Sequence, residues 1–171
     1  MAKGQQREHQ SVLADLIDGA IAGLVATWAM GKATSYLYEH EDKAARERED
    51  EARGGKTAYG VAAEKAARVA GKELSQDERQ RYGEDIHWAL GIGTGALYGL
   101  LRDRMHQARL ARGLAFGAAF WLAVDEGAIY ALRLTPGPTA FPWQAHARGL
   151  AGHVVYGTVA DATLAALQPS A

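Results

Sequence analysis

Four stretches of the chain are apolar over most of their length: residues 12–31, 86–101, 111–132 and 147–167. Each predicts a membrane-crossing helix, although a crossing takes roughly 20 mainly apolar residues. Segments 12–31, 111–132 and 147–167 reach that length only by including acids, and 86–101 is shorter. Small residues recur every four positions: Gly19, Gly23, Thr27 and Gly31; Gly91, Gly95 and Gly99; Gly113 and Gly117. That spacing lines up one helix face and predicts close helix–helix approach. Trp88, Trp143, Tyr36 and Tyr38 fall near the expected span ends, where an interfacial belt sits. A soluble bundle of unusually apolar helices is the competing reading, and this belt disfavours it.

Between the first two apolar runs, residues 32–84 are dominated by charge. A structureless loop this long is uncommon, so helices are expected there. The run TSYLYEHEDKAAREREDEAR reads as a continuation of the first helix, ended by Gly54-Gly55. A second helix is expected from Thr57 to Ala70, with Val61, Ala62, Ala66 and Val69 on its less polar side. Ser75 and Glu78 have capping-box spacing for a third helix that runs into 86–101. Residues 1–10 read as a loose polar segment before a cap at Ser11, and TPGPTAFPW (135–143) as a stiff turn. The predicted fold is all-α: a four-helix transmembrane bundle in one polytopic domain, 1–171, with 32–84 as an extramembrane helical insertion.

A faint repeat runs through this pattern. GALYGLLRD (95–103) aligns with HVVYGTVAD (153–161), placing Tyr98 on Tyr156, Gly99 on Gly157 and Asp103 on Asp161. Gly91 then falls on Gly149, and spans one and three share a Gly-x-x-x-Gly pair followed by Trp. Duplicated hairpins of two spans each would be parallel repeats. Chance likeness between Gly/Ala-rich helices is the competing explanation.

Composition narrows the function classes. The net charge is -1, from 19 basic and 20 acidic residues, so no nucleic-acid partner is expected. Cysteine is absent, which removes disulfides, thiolate metal sites and cysteine nucleophiles. The first apolar run holds Asp15 and Asp18 and reads as a retained span rather than a cleaved signal. The glycines of GIGTGALYG have no following Gly-Lys-Ser/Thr, so no phosphate loop is present.

The candidate chemistry lies in polar residues within the apolar runs: Asp18, Asp125, Glu126, His153 and Asp161. An ionised side chain at the bilayer centre costs roughly 2.5–3.5 kcal/mol on insertion scales, so such residues face a bundle interior or a wet cavity. Asp125 continues the stripe Gly113, Gly117, Trp121; His153, Gly157 and Asp161 share one face of span four, which His146 extends. One reading is a proton or cation pathway; the other is a hydrogen-bonded polar core that fixes helix packing. His87 and His146 start spans two and four on one membrane face, the arrangement a bis-histidine haem would need, but no haem-attachment or zinc-binding spacing accompanies them. No catalytic residues, metal or cofactor are expected, and the chain is not expected to be an enzyme.

The runs EDIHWALGIGTGALYGLLRD, GAAFWLAVDEGAIYAL and LTPGPTAFPWQAHARGLAGHVVYG together resemble the YagU-like group of bacterial inner-membrane proteins. The likeness covers most of the chain beyond residue 12. It implies a polytopic inner-membrane protein, in a group one member of which has been linked to acid tolerance, and supplies no catalytic residues. The charged segment 40–56 is not part of it.

The expected partners are the lipid bilayer and either a second copy or a larger membrane complex, the segment 39–53 being a possible docking surface. Arg102, Arg104, Arg109 and Arg112 crowd one short connection, and Lys3 and Arg7 lie on the same side if there are four spans. The positive-inside rule then places both termini in the cytoplasm.

Overall fold

The computed structural model describes residues 2–102, 105 and 109–168, with side chains over 12–102, 105 and 111–168. Asp103 and Arg104 lie outside the described residues. The order is α1 (Ala2–Glu39), α2 (Lys43–Arg53), α3 (Ala58–Val69), α4 (Gln76–Leu101), α5 (Arg109–Ala123), a π-helical turn (Val124–Ala128), α6 (Ile129–Ala131), a 3₁₀ turn (Pro138–Ala140) and α7 (Trp143–Leu167). The described chain is all-α.

Among the described residues, three helices are long and apolar enough to cross a membrane: Val12–Glu39 in α1, Ala111–Ala131 through α5 and α6, and Trp143–Leu167. The expected span 86–101 does not meet that measure, because its apolar stretch is the short second half of α4, whose first half is QDERQRYGED. Flanking segments differ from expectation in local ways. α1 begins at Ala2, so Ser11 lies inside the helix rather than capping it; the preceding Gln, Arg and Glu residues are good helix formers with no proline among them. The charged run is two helices, not one. α1 stops at Glu39, and the Asp42 side chain accepts a hydrogen bond from the Ala45 amide to cap α2. Gly54, in the left-handed conformation at φ 57°, ends α2 as predicted. In α3 the buried residues are Ala58, Gly60 and Ala63, while Val69 is 92% exposed, so the face assigned from sequence is displaced. Gly60 decides this: a Cβ on Gly83 would lie 2.8 Å from the Gly60 nitrogen, and that backbone approach seats α3 on α4. The Ser75–Glu78 capping box forms, and α4 runs unbroken from it.

The long helices alternate in direction. A Cβ on Gly19 would sit 2.5 Å from the Gly95 carbonyl oxygen, and one on Gly23 2.7 Å from that of Gly91, so α1 and α4 are antiparallel with backbones nearly touching. A Cβ on Gly113 would sit 2.8 Å from the Gly157 oxygen, and Gly117 faces His153, which makes α5 and α7 a second antiparallel pair. The Tyr98 hydroxyl donates to Asp161 Oδ1 at 2.8 Å and the Tyr156 hydroxyl to the Gly91 carbonyl at 2.6 Å, tying α4 and α7 side by side in parallel. Ala22, Ala26, Tyr98, Tyr156, Ala160 and Leu164 form the buried core. Leu13, Ile17, Leu24 and Trp28 point outward from α1, the distribution expected of a lipid-facing surface.

The register reveals how the two hairpins correspond. A Cβ on Gly99 would meet the Asp15 oxygen and Gly19 Cα; one on Gly157 would meet the Gly113 oxygen and Gly117 Cα. Gly19 backs onto Gly95 and Ala96 as Gly117 backs onto His153 and Val154. The repeat therefore equates Gly19 with Gly117, not with Gly113 as the shared Gly-x-x-x-Gly pair indicates. It also equates Gly23 with Trp121, Thr27 with Asp125, and Gly95 with His153.

Candidate functional site

That correspondence locates the site. In the first hairpin the equivalent positions are closed: Thr27 donates back to the Gly23 carbonyl at 2.7 Å and fills the space over Gly91. In the second hairpin Trp121 and Asp125 occupy the matching positions over Gly149, and His153 replaces a glycine. Larger polar side chains thus stand where the first hairpin has Gly and Thr. Beside them opens a cavity of about 450 Å³, whose wall includes Arg53, Tyr59, His87, Trp121, Asp125 and Glu126.

The backbone of the Ala111–Ala131 helix changes where the carboxylates occur. The Ile129 amide bonds to the Val124 carbonyl, an i→i+5 link that makes Val124–Ala128 a π turn. Such turns are rare and favour functional sites. Asp125 and Glu126 then face different histidines. His146 Nδ1 lies 2.6 Å from Glu126 Oε1, and His146 Nε2 lies 3.1 Å from the Pro138 carbonyl oxygen. A carbonyl only accepts, so Nε2 carries a hydrogen. Nδ1 and Oε1 therefore share one proton, held as imidazolium–carboxylate or as imidazole–carboxylic acid. His153, 2% exposed, donates from Nδ1 to the Gly149 carbonyl at 2.9 Å, and the same nitrogen is 3.6 Å from Asp125 Oδ2. His87 closes the cavity floor against Tyr59, ring centroids 5.2 Å apart. Burial pushes the Tyr59 phenol well up, and the Asp125 carboxylate adds to it, so Tyr59 stays a neutral donor. With both its nitrogens engaged, His146 is not free to pair with His87 as a haem ligand.

Five of the seven candidates, His87, Asp125, Glu126, His146 and His153, thus gather at one end of the bundle. The other two lie at the far end. Asp161, 2% exposed, takes the Tyr98 hydroxyl and faces Arg102 Nε at 3.3 Å and Arg112 Nε at 3.8 Å. Asp18 accepts from Gln168 Nε2 at 2.9 Å. Between the two ends lie the stacked Tyr98 and Phe116 (4.2 Å) and the Phe120–Tyr156 contact (5.2 Å).

A third ionic group went unread in the sequence. Arg148 of α7 bonds Glu41 Oε1 at 2.5 Å and Glu49 at 2.6 Å, and Arg53 reaches Glu49 Oε1 at 2.6 Å. Its guanidinium also lies 4.9 Å from the Tyr38 ring centroid. This holds α2 beside the cavity, with Arg53 on the cavity wall. Burial alone would raise the Glu49 carboxyl, but hydrogen bonds from Arg148 and Arg53 outweigh it and hold it below the usual glutamate range. In the sequence, Glu49 and Arg53 stand at i,i+4 spacing, one of several such acid–base pairs in 39–53, and nothing local points to Arg148.

Neither a curated protein nor a solved structure matches the chain. A family model described as "Protein of unknown function (DUF1440)" matches residues 57–162. The matched stretch contains His87, Trp121, Asp125, Glu126, His146, His153 and Asp161. It is also consistent with the YagU-like resemblance. Since the match spans more than half of its length, the chain belongs to the DUF1440 family of proteins of unknown function.

Proposed function

We propose that this is a four-span bacterial inner-membrane protein whose one-sided chamber exchanges protons or small cations with one compartment. The chamber observation carries the reading: the His146–Glu126 pair, sharing a proton at 2.6 Å, and the Asp125 carboxylate border a single cavity, with buried His153 3.6 Å from Asp125. Histidine is the side chain suited to trading protons near neutral pH. The span at 86–101 is the second half of α4. Gly91, Gly95 and Gly99 lie against Asp15–Thr27 of α1, so if α1 is in the bilayer this stretch is at the same depth. The aromatic layer at Tyr98, Phe116, Phe120 and Tyr156 closes the route in this state, and crossing requires that layer to part rather than a standing pore.

In proteoliposomes carrying an imposed gradient between about pH 5 and 8, the protein should dissipate the gradient several-fold faster than empty vesicles. Glu126→Gln should abolish the gain while leaving helical content unchanged. Flux equal to that of empty vesicles would remove the reading. With four spans, the Arg102–Arg112 connection and both termini are cytoplasmic and the chamber opens on the opposite side. A periplasm-dependent reporter fused after Arg104 should be silent, and an active one would reverse this orientation. A non-catalytic accessory role through the glycine stripes draws less support, because Gly19, Gly23, Gly95, Gly113 and Gly117 are occupied by contacts within the chain.

A further inference from the structure

His153 lies where the chamber end meets the aromatic layer, edged by Phe120 at 4.8 Å. Its tautomer is set locally. Nδ1 donates to the Gly149 carbonyl at 2.9 Å, so in the neutral ring Nε2 carries the lone pair. Among the described residues Nε2 has no hydrogen-bond partner. Asp125 does not serve it, because its Oδ2 lies 3.6 Å from Nδ1, the nitrogen already engaged. A proton that charges this ring therefore reaches Nε2 from another group.

A void of about 10 Å³ lies between Thr27, Tyr59, His87, Gly91, His153 and Tyr156. One water needs roughly 10–15 Å³ and 2–4 polar partners. Two of the polar groups are committed elsewhere: the Thr27 hydroxyl donates to the Gly23 carbonyl and the Tyr156 hydroxyl to that of Gly91. Three are left to hold a water, namely His153 Nε2, the Tyr59 hydroxyl and the His87 ring. Neither Tyr59 nor His87 makes a hydrogen bond among the described residues. Of these two, histidine is the side chain that gains and loses a proton near neutral pH, whereas Tyr59 stays a neutral donor. His87 also borders two larger spaces, the 450 Å³ chamber and a 280 Å³ cavity between α3 and α4 whose wall includes Arg79 and Glu84. The titratable groups around His153 are then Asp125 from the π turn, His87 from α4 and Tyr59 from α3; α1 brings only Thr27 and Met30 to the void, and α5 only Phe120.

We propose that His87 is a proton-relay residue, which charges His153 at Nε2 through a single water held in this void. The proposal rests on the proton form of the reading above and names an inner step of it. In that step an N–H bond of protonated His87 breaks and its proton passes to the water oxygen. One O–H bond of the same water breaks as that hydrogen bonds to the Nε2 lone pair. The water is regenerated, His87 is left neutral, and His153 is an imidazolium facing the Asp125 carboxylate. His87 then takes a new proton from water in the larger cavities that it borders.

The test is nitrogen NMR of the histidine rings, on the full chain in detergent, between about pH 5 and 8. At the upper end His153 should show Nδ1 protonated and Nε2 bare, and Nε2 should gain its proton as pH falls. Proton exchange at Nε2 should slow by roughly tenfold or more in His87→Gln. It should be unchanged in His40→Gln, which alters an exposed ring just past α1. In His87→Ala, added imidazole should restore the exchange, and pyrazole, a ring of the same size but a far weaker base, should not. A neutral His153 protonated on Nε2, exchange unaffected by His87→Gln, or equal rescue by pyrazole would overturn the proposal; equal rescue would mean that the ring only fills space. Exchange that depends on His87 without flux in proteoliposomes would sink the proton-transport reading alone. Flux that survives His87→Gln undiminished would sink this inference alone.

Discussion

Gly95→Leu is expected to prevent α1 from closing on α4 in the first hairpin, with a loss of about 3 kcal/mol or more, the upper end of overpacking costs because the obstacle is backbone rather than a yielding side chain. A Cβ at this position would run into Gly23 Cα and would lie 2.5 Å from the Gly19 oxygen and 2.6 Å from the Gly23 nitrogen. Neither helix can turn away, because α1 is also held by α7 through Thr34 and Met30 against Gly152. Gly93 supplies the control: nothing lies within 4 Å of a Cβ built there. Gly93→Leu should leave stability nearly unchanged, although it inserts the same side chain into the same apolar stretch two residues away. Denaturant titration of the two variants in one detergent decides the matter. Equal stabilities would mean that the α1–α4 seam is not where the protein is held together.

Arg148→Ala should release α2 from the bundle and cost about 3–5 kcal/mol, the range for breaking a buried ion pair by removing one partner. The side chains are largely shielded, Arg148 at 10% exposure and Glu49 at 2%, so removing the cation leaves Glu49 with Arg53 alone and Glu41 without its cation. Hydrogen exchange should accelerate across Lys43–Arg53 while the Tyr98–Asp161 end stays protected. Unchanged protection of α2 would show that the arginine does not hold it. Acid should mimic the substitution. The folded-state value of Glu49 lies below its unfolded one, about 4.3, so its stabilisation is complete above that pH and is lost as pH falls through the folded value. Glu49→Gln should flatten this acid dependence.

How far the sequence reaches is visible element by element. Helix ends set by local chemistry were legible: the Ser75–Glu78 capping box and Gly54 after α2 act through atoms a few residues apart. The glycine spacing announced which faces pack, since four-residue recurrence is a property of any α-helix. The break at His40–Asp42 was missed because the residues around it are good helix formers and Asp42 has no distinctive pattern behind it. The outward face of α3 was misjudged because burial there follows glycine backbone contact with Gly83, not hydrophobicity.

The candidate residues were readable one at a time, because an acid or histidine inside an apolar run is costly wherever it lies. Their grouping was not. Asp161 and Asp18 share a sequence character with Asp125 and Glu126, yet antiparallel packing sends them to the opposite end of the bundle. Residue type and spacing thus determined the helices, their contact faces and the list of polar intruders. Tertiary structure decided which intruders meet, through a π turn whose i→i+5 bond separates Asp125 from Glu126, and through an arginine whose partners lie 99 and 107 residues away. It also set the two matching hairpins apart: among the described residues Thr27 bonds to its own helix, whereas Asp125 makes no such bond and lines the chamber.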